Sequence, residues 1–101
     1  MKPPSMAPFW VFMYPSLAEI ARSYGYALAI HGSVGKDFDL IAIPWVENPD
    51  DPEDVIEAIQ SKYAVESVTG PHPKPHGRKV WTIVLVASGS VYLDFSFMPK
   101  A

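Results

Sequence analysis

Residues 26–43, YALAIHGSVGKDFDLIAI, contain two short apolar segments separated by a polar connection with two glycines. Short apolar runs bounded by turn residues are typical of buried strands. The first run ends at His31, and Pro44 closes the second, so we predict strands over 26–30 and 38–43. The fold is expected to be built around a sheet that contains this pair.

Helices are predicted on both sides of the pair. Ser16 and Glu19 have the spacing of a capping box, so the first helix is expected to begin near Ser16 and to stop at Gly25. The second is expected to begin at Asp51, a suitable N-cap residue, with Pro52 in its first turn.

Three more strands are predicted in the second half of the chain, over 63–69, 80–86 and 91–97. The last two form a hairpin, and a proline-rich basic loop, 70–79, precedes them. The element order predicts an α/β (α+β) two-layer sandwich. Its mixed or antiparallel sheet has about five strands, with two main helices on one face.

Composition excludes several classes of protein. The chain has 101 residues, of which 49% are hydrophobic, and this suits a single domain over 1–101. The absence of cysteine excludes a thiol nucleophile, a disulfide scaffold and a cysteine zinc site. A net charge of −3 argues against a strongly basic nucleic-acid coat, although a local basic patch remains compatible with it.

The apolar segment 9–14 is far shorter than the ~20 residues that span a bilayer, and Pro15 ends it. We therefore expect a cytoplasmic protein without membrane contact, in which this segment packs in the core or against a partner. Its large side chains exceed what one short element of a small domain usually buries, which predicts a homodimer.

Three aspartates are candidates for chemistry. Asp37 and Asp39 are two apart at the start of a strand and so share a face, and Asp94 interrupts the apolar final strand. Gathered carboxylates repel one another unless a cation joins them, so they favour a Mg²⁺ or Mn²⁺ site. The alternative is that Asp37 caps a turn and the other two are solvated on an exposed sheet face.

The connection before these aspartates favours phosphate binding. Exposed backbone amides around Gly32 and Ser33 can cradle phosphate, and Lys36 adds positive charge. Glycines also serve ordinary tight turns, so this motif alone is weak evidence.

Together, Gly32-Ser33, Asp37-Phe38-Asp39-Leu40 and Asp94 resemble the nucleotidyltransferase superfamily of the DNA polymerase beta type. The resemblance covers residues 16–97, and small single-domain members are near this size. It implies that Gly32 and Ser33 bind the triphosphate. It also implies that Asp37, Asp39 and Asp94 bind catalytic Mg²⁺ or Mn²⁺.

The activity implied by this resemblance is metal-dependent nucleotidyl transfer from a nucleoside triphosphate to a hydroxyl of a protein, an RNA or a small molecule. Only three residues separate Gly32-Ser33 from Asp37, fewer than in most members of the family. That short connection favours an alternative, a catalytically inactive binding or regulatory protein of the same fold, of phage or mobile-element origin. A third interpretation is a small α/β interaction protein that dimerises.

The basic loop 70–79 is a candidate for substrate contact. Arg78 is expected to reach phosphate if the loop folds over the carboxylates. His72 and His76 are four apart, but the prolines between them prevent the helix that would align them as metal ligands. A mobile or partner-contacting loop is the default interpretation.

Overall fold

The computed structural model of the chain describes residues 7–34, 37–86 and 92–100, without the side chains of Ala7 and Ser33. It contains two helices, five strands and one short 3₁₀ turn, η1. Their bounds are α1 Ala7–Ser23, β1 Tyr26–Val34, β2 Asp37–Pro44, α2 Pro52–Lys62, β3 Val65–Lys74, η1 Pro75–Gly77, β4 Arg78–Leu85 and β5 Tyr92–Phe97. The predicted two-layer α/β class is confirmed.

The five strands form one mixed sheet in the order β1-β2-β5-β4-β3. β2 and β5 are parallel neighbours at its centre, and the other neighbouring pairs are antiparallel. This order brings the second and last strands together, although about fifty residues separate them in sequence. The candidate aspartates lie on these two strands.

Alternation along the strands divides the sheet into a core face and a polar face. In β5, Leu93, Phe95 and Phe97 are buried and alternate with Asp94 and Ser96. The core also receives α2, whose Val55, Ile56 and Ile59 are buried. Both helices contribute to this one core, so the candidate carboxylates lie on the opposite face of the sheet.

The first helix is longer than predicted. It begins at Ala7 rather than near Ser16, and Pro15 lies inside it. A proline within a helix is unfavourable by ~3 kcal/mol because it removes one backbone hydrogen bond. Burial of one apolar stripe across the proline outweighs that loss at about 1.5–3 kcal/mol per large side chain. The stripe consists of Trp10, Met13, Leu17 and Ala21.

No capping box forms at Ser16, which lies within the helix. Its hydroxyl is buried and has no hydrogen-bond partner among the described residues. Asp51 does occupy the N-cap position of α2, with Pro52 as the first helical residue. Its carboxylate makes no capping hydrogen bond and pairs instead with the Lys100 ammonium at 3.0 Å.

Two predicted connections prove to be strand. β1 continues through His31 and Gly32 to Val34, with an irregular register after Ile30. β3 extends to Lys74, so most of the predicted basic loop is the end of a long β3–β4 hairpin. Its prolines are tolerated because β3 is an edge strand, where a missing N–H breaks no central ladder. In the described part of the chain, neither helix is long and apolar enough to cross a membrane.

Candidate active site

Asp39 and Asp94 are paired residues on the adjacent parallel strands β2 and β5. Their neighbours Phe38, Leu40 and Phe95 are buried in the core, so alternation turns both carboxyl groups toward the polar face. The hydroxyl of Thr82 on β4 donates a hydrogen bond of 2.9 Å to Asp94 Oδ1. Three neighbouring strands thus hold one row of polar side chains, with the two carboxyl groups at its centre.

The electrostatics of this row are unfavourable when both aspartates are ionised. Burial raises the pKa of Asp39 above its ordinary value. The neighbouring charge of Asp94, a hydrogen bond with it and the charge of Asp37 raise that pKa further, while His31 acts in the opposite direction. The first cause is desolvation of a charged group and the second is like-charge repulsion. A cation placed between the two carboxylates would remove both penalties.

Gly32 lies directly beside Asp39. Its φ is +81°, and a Cβ at this position would stand 2.9 Å from Asp39 Oδ2. Glycine is therefore required both by the backbone conformation and by the close approach of the carboxylate. The structure thus brings the glycine of the Gly-Ser motif against the aspartate pair.

The other residues predicted for the site differ in where they lie relative to Asp39 and Asp94. Asp37 is the first residue of β2 and is exposed at the end of the row. Arg78 begins β4 and lines the same cleft as Asp39 and Asp94. Lys36 lies outside the described residues, as does the side chain of Ser33.

The cleft over the polar face has a volume of about 330 Å³. The carboxylates lie toward one side of it and basic side chains toward the other. Its polar lining consists of His31, Asp39, His72, Lys74, Arg78, Thr82, Asp94 and Ser96. The arrangement suits a ligand that carries both a metal-binding group and a further negative charge.

The carboxyl oxygens fit a hard divalent cation. Among the described residues, no group of three or more His, Asp or Glu side chains converges as a complete set of metal ligands. Mg²⁺ does not require such a set, since it commonly takes one or two carboxylates and completes its shell with water and substrate phosphates. Asp39 and Asp94 match that requirement, and neither is in an ion pair within the described part of the chain.

Comparison with protein-family models finds none that matches the chain, and comparison with curated proteins finds no match either.

Sequence reasoning missed several residues of the cleft, namely Lys74, Thr82 and Ser96. Ser96 has the same parity as Asp94 on one strand, so alternation already placed both on one face. Lys74 and Thr82 enter the cleft through the β3–β4 and β4–β5 registers. Nothing in the local sequence specifies those registers, because bulges shift the first of them.

Proposed function

We propose that the protein transfers a nucleotidyl group from a nucleoside triphosphate to a hydroxyl acceptor, with Asp39 and Asp94 as the central catalytic residues. The observation that carries this proposal is the pairing of the two carboxyl groups in register on parallel strands, beside a glycine and without an ion pair to any described residue. The sequence resemblance to nucleotidyltransferases and the confirmed fold class support it.

In this proposal Asp39 and Asp94, with Asp37 at the edge, hold Mg²⁺ or Mn²⁺. When bound, the ion supplies charge stabilisation to the phosphates and lowers the pKa of the attacking hydroxyl. Gly32 allows the triphosphate to approach the backbone of β1, because no side chain stands between them. Since nucleoside triphosphates and Mg²⁺ are both abundant in the cytoplasm, the proposal implies a cytoplasmic protein.

The reaction is an in-line displacement at the α-phosphorus. The acceptor oxygen forms a bond to phosphorus, the bond to the bridging oxygen of the β-phosphate breaks, and pyrophosphate leaves with the electron pair. The hydroxyl proton passes to a carboxylate of the pair. Thr82 fixes the orientation of Asp94 through its hydrogen bond and leaves the other carboxyl oxygen of Asp94 for the ligand.

Calorimetric titration with a non-hydrolysable nucleoside triphosphate tests the proposal. We expect binding in millimolar Mg²⁺, loss of binding in a chelator and loss in Asp39→Asn. Glu57→Gln, which removes an exposed carboxylate from α2, is the matched control and should bind as the wild type does. Binding that ignores both Mg²⁺ and Asp39→Asn would reject the catalytic assignment.

One observation favours the alternative of an inactive member of the same fold. β1 continues past Gly32 to Val34, with an irregular register after Ile30, and only residues 35 and 36 lie between it and β2. The triphosphate would then contact a strand rather than a phosphate-binding turn. Metal-dependent nucleotide binding without pyrophosphate release, measured with several acceptors, would support this regulatory role.

We also propose a homodimer that uses the outer side of α1. Phe9 and Phe12 are exposed, Phe12 at 87%, and they line an apolar groove together with Tyr63 and Leu85. Isolated exposed apolar residues are common, but a contiguous group of aromatic side chains is typical of an interaction surface. Sedimentation equilibrium at increasing concentration tests the association.

A further inference from the structure

Basic side chains occupy one side of the cleft. His72 and Lys74 lie on β3 and Arg78 begins β4, and all three line the cleft together with Asp39 and Asp94. Lys74 is paired with Arg78 across the hairpin, so their side chains share a face. The Arg78 guanidinium is tethered to the hairpin tip, because its Nε donates to the Pro75 carbonyl at 3.4 Å.

These cations are not neutralised by the protein itself. Across residues 7–34, 37–86 and 92–100, the one ion pair joins Lys100 to Asp51, away from the cleft. Lys74 and Arg78 are therefore free to meet an anionic group of a ligand. The overall charge of the chain is −3, so this cluster is a local feature and not part of a basic surface.

The register gives the spacing between the basic and acidic groups. Asp94 is level with Thr82, and the Lys74–Arg78 pair lies four residues before Thr82, at the start of β4. At about 3.3 Å per residue, this separates the two sets of Cα atoms by about 13 Å along the strands. Long side chains shorten that distance, but a single phosphate cannot bind both sets at once.

Polar groups line the sheet between the two sets. Ser96 is paired with Val80, which is paired with His72, midway between Asp94 and Arg78. Ser96 is 6% exposed and lines the cleft, yet its hydroxyl has no hydrogen-bond partner among the described residues. A buried hydroxyl without a partner is unfavourable, so a polar ligand group above it would satisfy it.

The strand order decides which ligand reaches the basic side. Gly32 is on β1, the basic residues are on β3 and β4, and the carboxylates on β2 and β5 lie between them. In an in-line displacement the attacking and leaving oxygens are on opposite sides of the phosphorus. If pyrophosphate leaves toward Gly32, the acceptor hydroxyl enters from the side of β4 and β3.

We propose that Lys74 and Arg78, assisted by His72, bind a phosphate group of the acceptor, so that the acceptor is itself a phosphorylated molecule. This inference rests on the proposed nucleotidyl transfer and identifies its second substrate by chemical class. The phosphate belongs either to a single nucleic-acid strand that ends in a free hydroxyl or to a small phosphorylated compound.

Fluorescence anisotropy with a labelled single-stranded oligonucleotide tests the proposal, with competition by a nucleoside 5′-monophosphate as the small-molecule arm. The test variant is Lys74→Gln with Arg78→Gln. We expect its affinity for the oligonucleotide to fall about tenfold, the effect of losing charge-assisted contacts to phosphate. For two phosphate contacts on a single strand, log K should fall with log salt at a slope of about −1.4 in the wild type.

Lys62→Gln with Lys79→Gln is the matched control, because it makes the same change in net charge. Lys79 is adjacent to Arg78 but is level with Phe97, on the other face of the sheet. Lys62 ends α2. This control should bind within about twofold of the wild type, and circular dichroism melts of both double variants would verify their folding.

The outcomes separate this inference from the proposed function. Equal affinity of the test and control variants, or no binding of either probe by the wild type, would overturn the inference. It would also be overturned if the test variant lost Mg²⁺-dependent binding of the non-hydrolysable triphosphate, since Lys74 and Arg78 would then hold the nucleotide. Binding of the oligonucleotide through Lys74 and Arg78 by a protein that ignores nucleotide would instead reject the nucleotidyl transfer. Effective competition by the monophosphate would identify the small-molecule source.

Discussion

Asp39 on β2 and Asp94 on β5 are paired residues of two parallel strands, and the charge of Asp94 helps to raise the pKa of Asp39. The contact places two acidic groups side by side over a sheet whose opposite face is the hydrophobic core. Such a pair is destabilising when both groups are ionised, and neither carboxylate is in an ion pair with any of the described residues. The fold therefore accepts an unfavourable contact at the point where the proposed reaction needs a cation.

The first prediction concerns the pH dependence of stability. The pKa of Asp39 is raised in the folded state, so ionisation of Asp39 destabilises the folded protein relative to the unfolded chain. Stability is retained below the ordinary pKa and falls as pH rises through the raised one. Asp39→Asn should therefore be equal to the wild type at strongly acidic pH and more stable at pH 7.5, by up to about 1 kcal/mol for a partly exposed pair. Urea titrations across this pH range measure the difference.

The control for that measurement is Glu57→Gln, an exposed change on α2 that should leave the pH dependence of the free energy of unfolding unaltered. If Asp39→Asn were destabilising at pH 7.5, the repulsion between Asp39 and Asp94 would not be the dominant effect at this position.

The second prediction concerns metal binding. Millimolar Mn²⁺ or Mg²⁺ should raise the melting temperature of the wild type, because a ligand that binds the folded state selectively stabilises it. The increase should largely disappear in Asp94→Asn.

Thr82→Val is the matched variant, since it removes the hydrogen bond to Asp94 but leaves both carboxylates in place. It should lose about 1 kcal/mol of stability while keeping the response to metal. Identical metal responses in all three proteins would exclude the aspartate pair as the site.

Sequence alone predicts the alternation in β5 and the start of α2, because the first depends on local pattern and the second on a local N-cap residue and proline. It also places Asp94 and Ser96 on one face. It does not predict that Asp39 is level with Asp94, since that pairing depends on a long-range parallel contact. Nor does it predict the basic side of the cleft. The prolines around His72 argue for a loop, whereas an edge strand accommodates them.

The third prediction compares Gly32 with Gly77, two glycines that both have positive φ. Substitution by alanine should lower stability by about 1–2 kcal/mol at each position, because an L-residue is disfavoured in that conformation. Only Gly32→Ala places a methyl group against the Asp39 carboxylate, at 2.9 Å, whereas a Cβ at Gly77 meets only Pro99 at 3.4 Å. Gly32→Ala should therefore also weaken Mg²⁺-dependent nucleotide binding, and Gly77→Ala should not. Calorimetric titration of the two variants makes the comparison, and equal affinities would argue against a phosphate site at Gly32.

The last prediction tests the two sides of α1, the element whose start the sequence misplaces. Trp10 is fully buried and stacks on Phe38 with a centroid separation of 5.1 Å, while Phe12 is 87% exposed. Trp10→Ala should lower the free energy of unfolding by about 3–5 kcal/mol, the usual effect of removing a buried aromatic side chain. Phe12→Ala should change it by less than about 0.5 kcal/mol but weaken self-association, because the side chain contributes to the surface and not to the core. Denaturant titration measures the first effect and sedimentation equilibrium the second.

Equal, small losses of stability in both variants would show that the segment before Pro15 is not packed on the sheet. A change in association with Trp10→Ala alone would instead reject the dimer surface around Phe12.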